Sequence, residues 1–271
     1  MPRRVRLDAE LVRRGLARSR EQAQQLIHAG RVTVRGTVAR KPATAVESDA
    51  PVVVLEDDDD PGWASRGAHK LLGALEAFEP QGLGVSGRRC LDAGASTGGF
   101  TDVLLRRGAA EVVAVDVGYG QLAWRLRTDE RVRVLDKTNV RTLTPEMIGG
   151  PVQLVVADLS FISLRLVLPA LVACVDDDAD LVPMVKPQFE VGRERLGSGG
   201  VVREPELRAS AVLDVVEAAA GLGLTLRGVT ASPLPGPSGN VEYFLWLRRG
   251  DPLPPDTTEE LVRDAVAKGP Q

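Results

Sequence analysis

Short apolar segments alternate with amphipathic helical segments between about residues 87 and 250, and this alternation constrains the fold more than any other feature. The pattern is typical of a parallel sheet with helices on both faces. In such sheets, ligands bind beyond the carboxyl ends of the strands. The first five apolar segments end at a charged residue: Asp92, Asp116, Asp136, Asp158 and Lys186. With two further segments, 226–230 and 241–247, the sequence predicts a doubly wound α/β domain.

A glycine-rich stretch follows the first predicted strand, where Asp92 precedes Gly94, Gly98 and Gly99. Glycine lets the backbone turn tightly and approach a ligand at the start of a helix. Dinucleotide-binding enzymes and methyltransferases both use such a turn, but the spacing here is not the Gly-x-Gly-x-x-Gly of the former. The leading carboxylate suits the amino group of a cationic sulfonium ligand, which favours S-adenosylmethionine over NAD. Asp116 either binds ribose hydroxyls or is a plain turn residue.

The overall net charge of −3 hides a strong asymmetry. Residues 1–45 contain 11 Lys and Arg against 3 acidic residues, whereas the remainder contains 23 against 34. A polyanion would therefore bind the first segment well and the rest of the chain poorly. This asymmetry predicts a separate basic module at the N-terminus.

Two short helices and a hairpin are predicted in this basic segment. Asp8 is placed to cap the first helix, and Ser19 with Gln22 forms a capping box for the second. Residues 31–40 alternate apolar and polar side chains around Gly36, which predicts the hairpin. The arrangement resembles the small S4-type RNA-binding domain.

That resemblance implies that basic side chains lie against an RNA backbone, because arginine matches the geometry of phosphate oxygens. The same side chains could instead serve only to keep a small domain soluble. The concentration of positive charge in an otherwise acidic chain favours RNA binding. The candidate RNA-contacting residues are Arg4, Arg6, Arg18, Arg20, Arg40 and Lys41, together with Arg66 and Ser238 outside the basic segment.

Four charged residues stand in motifs that resemble a known family. Lys70 lies in SRGAHKL, Asp158 in ADLSFISL, Lys186 in VKPQFEVG and Glu242 in PGPSGNVEYFLWL. Their Lys-Asp-Lys-Glu order resembles the tetrad of the FtsJ-like ribose 2′-O-methyltransferases. Together with DAGASTGGF and DVGYGQL, these motifs resemble the TlyA family over about residues 4–249.

The resemblance implies a Rossmann-like class I S-adenosylmethionine methyltransferase fold, an α/β fold with a seven-stranded, mostly parallel sheet. A small α+β RNA-binding domain would precede it. The implied reaction transfers a methyl group to the 2′-hydroxyl of cytidine in 16S or 23S ribosomal RNA. We expect the RNA-binding domain at 1–60, a linker at 61–65, the methyltransferase domain at 66–250 and a tail at 251–271.

The tetrad supplies candidate catalytic residues, because a ribose hydroxyl is a poor nucleophile at neutral pH. We assign Lys186 to that hydroxyl, either as its base or as the group that orients it. Glu242 would hold a lysine in place, Asp158 would lie beside the cofactor and position a lysine, and Lys70 would steady the reacting oxygen or a phosphate. Each of these residues could instead belong to an ordinary surface ion pair.

The candidate cofactor-binding residues are Asp92, Gly94, Ser96, Gly98, Gly99, Asp116, Asp136, Asp158 and Phe161. Phe161 and Phe189 flank the expected site, where an aromatic ring either stacks on a base or packs into the core. No apolar run is long enough to cross a bilayer, and no signal segment follows the basic N-terminus. Two cysteines and two histidines show no metal-ligand spacing. We therefore expect a cytoplasmic monomer without a metal, acting on ribosomal RNA or ribosomal subunits.

Three alternative functions remain to be weighed against ribose methylation. Base methyltransferases often carry a Cys nucleophile or an Asn-Pro-Pro-Tyr motif, whereas Cys90 and Cys174 lie in apolar runs. A ribosome-assembly factor with a vestigial methyltransferase domain would not need an intact tetrad. A membrane-lytic haemolysin, an old label of the family, would need a membrane span or a basic amphipathic helix.

Overall fold

The chain forms two compact units, Met1–Gly62 and Trp63–Gln271, which we call the N-terminal unit and the C-terminal unit. The computed structural model describes residues 4–17, 19–28, 30–47, 49–54, 62–236 and 238–270. Arg18, the acidic run 57–60 and Pro61 lie outside the described residues.

The N-terminal unit combines two helices with two small antiparallel sheets. Its elements are β1 (Arg4–Arg6), α1 (Leu7–Arg13), α2 (Arg20–His28), β2 (Val32–Val34), β3 (Thr37–Val38), β4 (Ala45–Glu47) and β5 (Val52–Val54). One sheet pairs β1 with β4, and the other has the order β3-β2-β5. The predicted hairpin is confirmed as β2–β3, which turns at Arg35 and Gly36 with positive φ angles, as a tight type I′ turn requires.

Contrary to the prediction, Asp8 is not the N-cap residue of α1, because that position is held by Arg6; the Asp8 Oδ1 does accept the Ala9 N–H of the first turn at 2.8 Å. The residue lies inside the helix and is fully buried. A buried carboxylate needs hydrogen-bond partners, and Asp8 accepts from Arg6 Nη2 at 2.8 Å, from Gln24 Nε2 at 3.2 Å and from Arg20 Nη2 at 3.3 Å. The predicted start of α2 is correct, because Ser19 Oγ accepts the Gln22 N–H at 3.2 Å.

The C-terminal unit contains a seven-stranded sheet, as the sequence predicts, and the structure shows the strand order β11-β12-β10-β9-β6-β7-β8. Its strands are β6 (Arg89–Ala93), β7 (Glu111–Val115), β8 (Val132–Leu135), β9 (Val152–Ala157), β10 (Val175–Val185), β11 (Leu224–Ala231) and β12 (Tyr243–Arg249). Every pairing from β10 to β8 is parallel, and β12 runs antiparallel to both of its neighbours. The carboxyl ends of the central strands therefore meet at one edge.

Helices cover both faces of this sheet. They are α3 (Gly67–Phe78), α4 (Gly99–Arg106), α5 (Trp124–Arg127), α6 (Pro145–Ile148), α7 (Leu168–Ala173), α8 (Pro187–Glu190), α9 (Pro205–Ala220) and α10 (Pro255–Lys268). Successive strand residues point to opposite faces, so Cys90 packs with α3 and α4, whereas Leu91 packs with α7 and α9. Val262 and Val266 of α10 belong to the same hydrophobic core as Leu91. The residues expected to form a tail are therefore part of the C-terminal unit.

Candidate active site

Asp92 is a buried carboxylate near the carboxyl end of β6. One of its oxygens, Oδ2, accepts a hydrogen bond of 2.6 Å from Thr101 Oγ1. The other, Oδ1, has no hydrogen-bond partner among the described residues. Burial raises the pKa of Asp92 to about 7, and the nearby carboxylates of Asp158 and Asp116 act in the same direction. A buried, incompletely bonded carboxylate of this kind fits a cationic ligand group.

The glycine-rich stretch brings this carboxylate close to the end of β9. Gly94 has φ = 90°, a left-handed value that favours glycine. A Cβ at this position would collide with the carbonyl oxygen of Asp158. A Cβ at Gly99 would come within 2.9 Å of the Ala68 backbone nitrogen, next to the start of α3. These glycines therefore allow close packing against the segments that carry two of the tetrad residues, Asp158 and Lys70.

Two cavities open at this edge of the sheet and share Gly94, Ser96 and Asp158 in their walls. The larger has a volume of about 600 Å³ and is also lined by Lys70 and Arg66. The smaller has a volume of about 400 Å³. Two neighbouring cavities with shared walls provide room for two substrates side by side.

Asp116 lies in the wall of the smaller cavity at the end of β7. Its carboxylate accepts backbone N–H groups from Ser96 at 2.8 Å and Gly118 at 2.7 Å. A carboxylate offers about four lone-pair sites, so Asp116 retains acceptors for a ligand hydroxyl. Asn139 and Gln121 line the same cavity. Sequence reasoning missed both, because neither directly follows a strand; Gln121 lies within the motif DVGYGQL, but only Asp116 stands out there as a candidate.

Asp136 is placed differently from Asp116, although both follow strands. Its carboxylate pairs with Arg127 Nη1 at 2.9 Å and accepts the Gly120 N–H at 3.3 Å. The residue does not line either of the two cavities. Asp136 therefore supports the segment between β7 and α5, and its candidate role in cofactor binding rests on the sequence alone.

The four tetrad residues form two ion pairs. Lys186 Nζ lies 2.6 Å from Asp158 Oδ1 and donates to Ser160 Oγ at 2.9 Å. Lys70 Nζ lies 2.6 Å from Glu242 Oε2. Only 8% of the Lys186 side chain and 12% of the Lys70 side chain are exposed. These lysines are therefore held in sheltered positions, unlike ordinary surface ion pairs.

The larger cavity connects the two pairs, since Lys70 and Asp158 both line it. Glu242 Oε1 is buried and has no hydrogen-bond partner among the described residues. Gly236, which also lines the cavity, leaves space there, because a Cβ at that position would lie 2.6 Å from Glu242 Oε1. Asn240 lies nearby but is occupied, since its side chain binds Gly200 O at 3.0 Å and the Val202 N–H at 2.9 Å.

Phe161 presents its ring to solvent rather than to the core. The residue is 91% exposed and lines the smaller cavity, and its ring centroid lies 5.3 Å from that of Phe189. Its φ of 63° is unusual for a bulky residue. An exposed aromatic ring held in a strained conformation beside a cavity fits stacking on a base.

The candidate RNA-contacting residues that the structure describes carry exposed or cavity-lining side chains. In the N-terminal unit, Arg40 and Lys41 are exposed. Arg4, Arg6 and Arg20 also reach solvent while pairing with acidic residues. Arg66 lines the larger cavity and Ser238 is exposed, whereas Arg18 lies outside the described residues.

Neither a metal centre nor a membrane span is seen in the part of the chain that the structure describes. Its His, Cys, Asp and Glu side chains form no group able to hold a metal ion. None of its helices has both the length and the apolar character needed to cross a bilayer.

Comparison with known proteins identifies both units. Residues 63–249 match the FtsJ-like methyltransferase family, and residues 5–52 match the S4 domain. The chain is 64% identical over 272 residues to the 16S/23S rRNA (cytidine-2′-O)-methyltransferase TlyA of Mycobacterium tuberculosis, covering 100% of both chains. It is 40% identical to YqxC of Bacillus subtilis, described as an rRNA methyltransferase, over 97% of this chain and 94% of that one.

A solved structure supports the same relationship. A protein from Streptococcus thermophilus described as a haemolysin superposes with a TM-score of 0.75 and 37% identity. The match covers 99% of this chain and 97% of the other. The chain therefore belongs to the FtsJ-like methyltransferases and, within them, to the TlyA family.

Proposed function

We propose that the protein transfers a methyl group from S-adenosylmethionine to the 2′-hydroxyl of cytidine in 16S or 23S ribosomal RNA. The observation that carries the proposal is the pair of sheltered lysine–carboxylate contacts, Lys186 with Asp158 and Lys70 with Glu242, beside a cavity at the glycine-rich stretch. The name of the M. tuberculosis relative supports the choice of ribosomal cytidine. A ribosomal substrate would make the protein cytoplasmic.

The residues present fit S-adenosylmethionine, which supplies a methyl group on a positively charged sulfonium. Asp92 offers an unpartnered carboxylate oxygen for the cationic amino acid part of the cofactor. Asp116 and Asn139 line the smaller cavity, where they would bind ribose and adenine. Gly94 and Ser96 contribute the backbone shared by both cavities.

Lys186 is the residue that we assign to the ribose hydroxyl. An ammonium group has three N–H donors, and contacts with Asp158 and Ser160 use two of them. The third can be donated to the 2′-oxygen, so the geometry favours orientation of the hydroxyl over proton abstraction by the lysine. Asp158, which lies beside this lysine and whose side chain is 25% exposed, would accept the hydroxyl proton as the oxygen–methyl bond forms and the sulfur–methyl bond breaks, and would then release that proton to solvent.

Lys70 and Glu242 form the second half of the arrangement. Glu242 fixes the Lys70 ammonium in the wall of the larger cavity. A fixed positive charge there stabilises the negative charge that develops on the attacking oxygen, or holds a neighbouring phosphate. Arg66 lines the same cavity and supplies a second group for binding phosphate.

The proposal is tested by incubating purified protein and labelled S-adenosylmethionine with naked ribosomal RNA, separate subunits and whole ribosomes. We expect a labelled nucleotide at which alkaline cleavage is blocked, since a methylated 2′-oxygen cannot attack the adjacent phosphate. Lys186→Ala should abolish transfer while cofactor binding persists. Lys268→Ala, a control at an exposed lysine of α10, should leave transfer unchanged. Label on a base, with alkaline cleavage intact, would contradict the proposal.

A further inference from the structure

Glu190, at the end of α8, is a buried carboxylate that neither the tetrad nor the cofactor site accounts for. Only 1% of its side chain is exposed. Its Oε2 accepts a hydrogen bond of 2.5 Å from Ser163 Oγ, and its Oε1 accepts one of 2.7 Å from the Leu164 N–H. Both carboxylate oxygens are thus directed at one short segment of chain, the segment that follows β9.

That segment, residues 158–164, carries three of the site's functional groups. It contains Asp158 and Ser160, the two partners of Lys186, and the exposed ring of Phe161. Residues 158–163 have no regular secondary structure of their own and lie between β9 and a 3-10 helix at Leu164–Leu166. Leu159 and Ile162 pack against the core, and the remaining polar residues are positioned by the side chains that bind them.

Two side chains from one short stretch hold the segment at both ends. Lys186 binds it at Asp158 and Ser160, and Glu190 binds it at Ser163 and Leu164. The turn of α8 fixes the spacing between these two side chains, since Phe189 N–H donates to Lys186 O at 2.8 Å.

Phe161 lies between the two points of attachment. Its φ of 63° is a left-handed value that a bulky residue adopts only when its surroundings enforce it. The contact between the Phe161 and Phe189 rings, with centroids 5.3 Å apart, adds a third attachment to the same short stretch.

The electrostatics of Glu190 are consistent with a role that depends on its hydrogen bonds. Burial raises the pKa of Glu190, while the bonds from Ser163 and Leu164 and the nearby Arg165 guanidinium oppose that rise. Arg165 reaches the same end of α8, because its Nη2 donates to the Glu190 carbonyl oxygen at 3.2 Å. Loss of these bonds would leave a buried charge without compensation.

We propose that Glu190 is a positioning residue for methyl transfer, which holds residues 158–164 so that Asp158, Ser160 and Phe161 stand correctly around Lys186. This inference rests on the proposed function, because it concerns the same reaction. Glu190 acts through the segment that it holds and touches neither substrate. A displacement of about 1 Å in a reacting group can cost about 100-fold in rate.

The test is a comparison of Glu190→Ala with Asp180→Ala. Asp180 is a matched control, since it is a fully buried carboxylate on β10, the strand that leads to Lys186, and binds Arg88 Nη1 at 2.6 Å and Trp246 Nε1 at 2.7 Å. It lies six residues before Lys186, about 20 Å away along an extended strand. Both changes should lower the melting temperature, but only Glu190→Ala should alter the geometry of the active site.

For Glu190→Ala, kcat should fall by about 100-fold, and the dissociation constant of S-adenosylmethionine should rise by a smaller factor, because Asp158 and Phe161 of the same segment line the smaller cavity. Amide hydrogen exchange should accelerate in residues 160–165, since the Leu164 N–H loses its acceptor. Glu190→Gln should restore most of the activity, because its amide oxygen can still accept from Leu164. Asp180→Ala should keep kcat within about twofold of wild type.

If Glu190→Ala does not fold, Ser163→Ala tests the same proposal. It removes one hydrogen bond to Glu190 and should therefore also lower kcat. The inference is overturned if Glu190→Ala or Ser163→Ala retains full kcat, if exchange in 160–165 is unchanged, or if Asp180→Ala loses as much activity. Absence of a ribose mark from the wild-type protein would instead overturn the proposed function.

Discussion

Asp8 and Asp92 are both fully buried carboxylates, one in each unit, and their surroundings differ sharply. The Arg6 guanidinium, with help from Gln24 and Arg20, holds the pKa of Asp8 well below its usual range. Asp92 accepts a hydrogen bond from the Thr101 hydroxyl, its Oδ1 has no partner that meets hydrogen-bond geometry among the described residues, and burial raises its pKa to about 7. A buried charge neutralised by its own chain is structural, whereas one left incompletely bonded fits a ligand that completes it.

The basic partners of acidic residues also differ between the two units, in how far their side chains are exposed. In the N-terminal unit, the side chains of Arg6 and Arg20 remain half exposed even while they pair with Asp8. In the C-terminal unit, Lys186 and Lys70 are almost completely buried beside their carboxylates. Exposed cations attract a polyanion and are screened by salt, while buried ones are fixed in position. The exposed arginines of the N-terminal unit therefore suit the binding of a polyanion, and the buried lysines of the C-terminal unit suit catalysis.

The largest expected effect that tests this contrast is on stability against pH. In the unfolded chain Asp92 ionises near its ordinary pKa of 3.8, but in the folded protein it keeps its proton up to about pH 7. The folded state therefore holds more protons in this range, so stability falls as pH rises from about 4 to about 7 and then levels off. We expect Asp92 to contribute about 4 kcal/mol to this fall.

Calorimetry between pH 4 and pH 8 would measure this effect, and Asp92→Asn should flatten the curve. The N-terminal unit should respond in the opposite sense and at lower pH. Hydrogen bonds from Arg13 lower the pKa of Glu10 from 4.5 to about 2, so its contribution is lost only as pH falls through that range. An Asp92→Asn protein with the wild-type slope would refute the assignment of an ionisable, unsatisfied carboxylate.

The next largest effect concerns cofactor affinity. A hydrogen bond to a charged group contributes about 1.5–3 kcal/mol, so Asp92→Asn should weaken binding of S-adenosylmethionine by about 10- to 100-fold. Isothermal titration measures this directly. Asp129→Asn is the control, because Asp129 pairs with Arg131 at 2.8 Å on the surface. Equal affinities for the wild type and Asp92→Asn would remove Asp92 from the cofactor site.

A smaller effect is expected at the exposed cations of the N-terminal unit. Changing both Arg40 and Lys41 to Ala should weaken RNA binding and reduce the slope of log affinity against log salt concentration by about 0.7–0.9 for each phosphate that is no longer neutralised. The rate at saturating RNA should stay unchanged, since these residues act only in binding. Binding titrations at several salt concentrations test this. An unchanged slope would show that these two side chains do not bind phosphates.

The smallest effect is expected for Ser19→Ala. Loss of the hydroxyl that accepts the Gln22 N–H should destabilise the N-terminal unit by about 1 kcal/mol. Unfolding of the C-terminal unit should not change, because the two units are separately compact. Circular dichroism with calorimetry distinguishes the two transitions, and an equal shift in both would show that the units unfold together.

Local patterns were sufficient to predict the sheet, whereas the four tetrad positions were taken from the resemblance to the FtsJ-like motifs. An apolar segment followed by a charge places Asp158 and Lys186 at one edge wherever neighbouring strands are parallel, and the structure brings these two within 2.6 Å. The end of β10 and the glycine-rich stretch after β6 were predictable for the same reason. Both depend on residues close in sequence.

Partner choice between distant residues could not be predicted. Asp136 and Asp116 occupy equivalent places after their strands, yet Asp136 pairs with Arg127 and only Asp116 lines the cavity. Asn139 belongs to no recognisable motif, and Glu190 lies in VKPQFEVG without any sign there of its partners, because the roles of both residues depend on how segments approach in space. Asp8 looked like a helix cap for the same reason: its partner Arg20 lies 12 residues away.

The close approach of Gly94 to the Asp158 carbonyl oxygen has a consequence for how this protein can vary. Gly94 lines both cavities, so one additional carbon atom at this position would disturb the walls of both. If these cavities hold the methyl donor and the RNA as proposed, a single small substitution there would weaken the binding of both, and a change in nucleotide specificity would be coupled to a change in affinity for the donor.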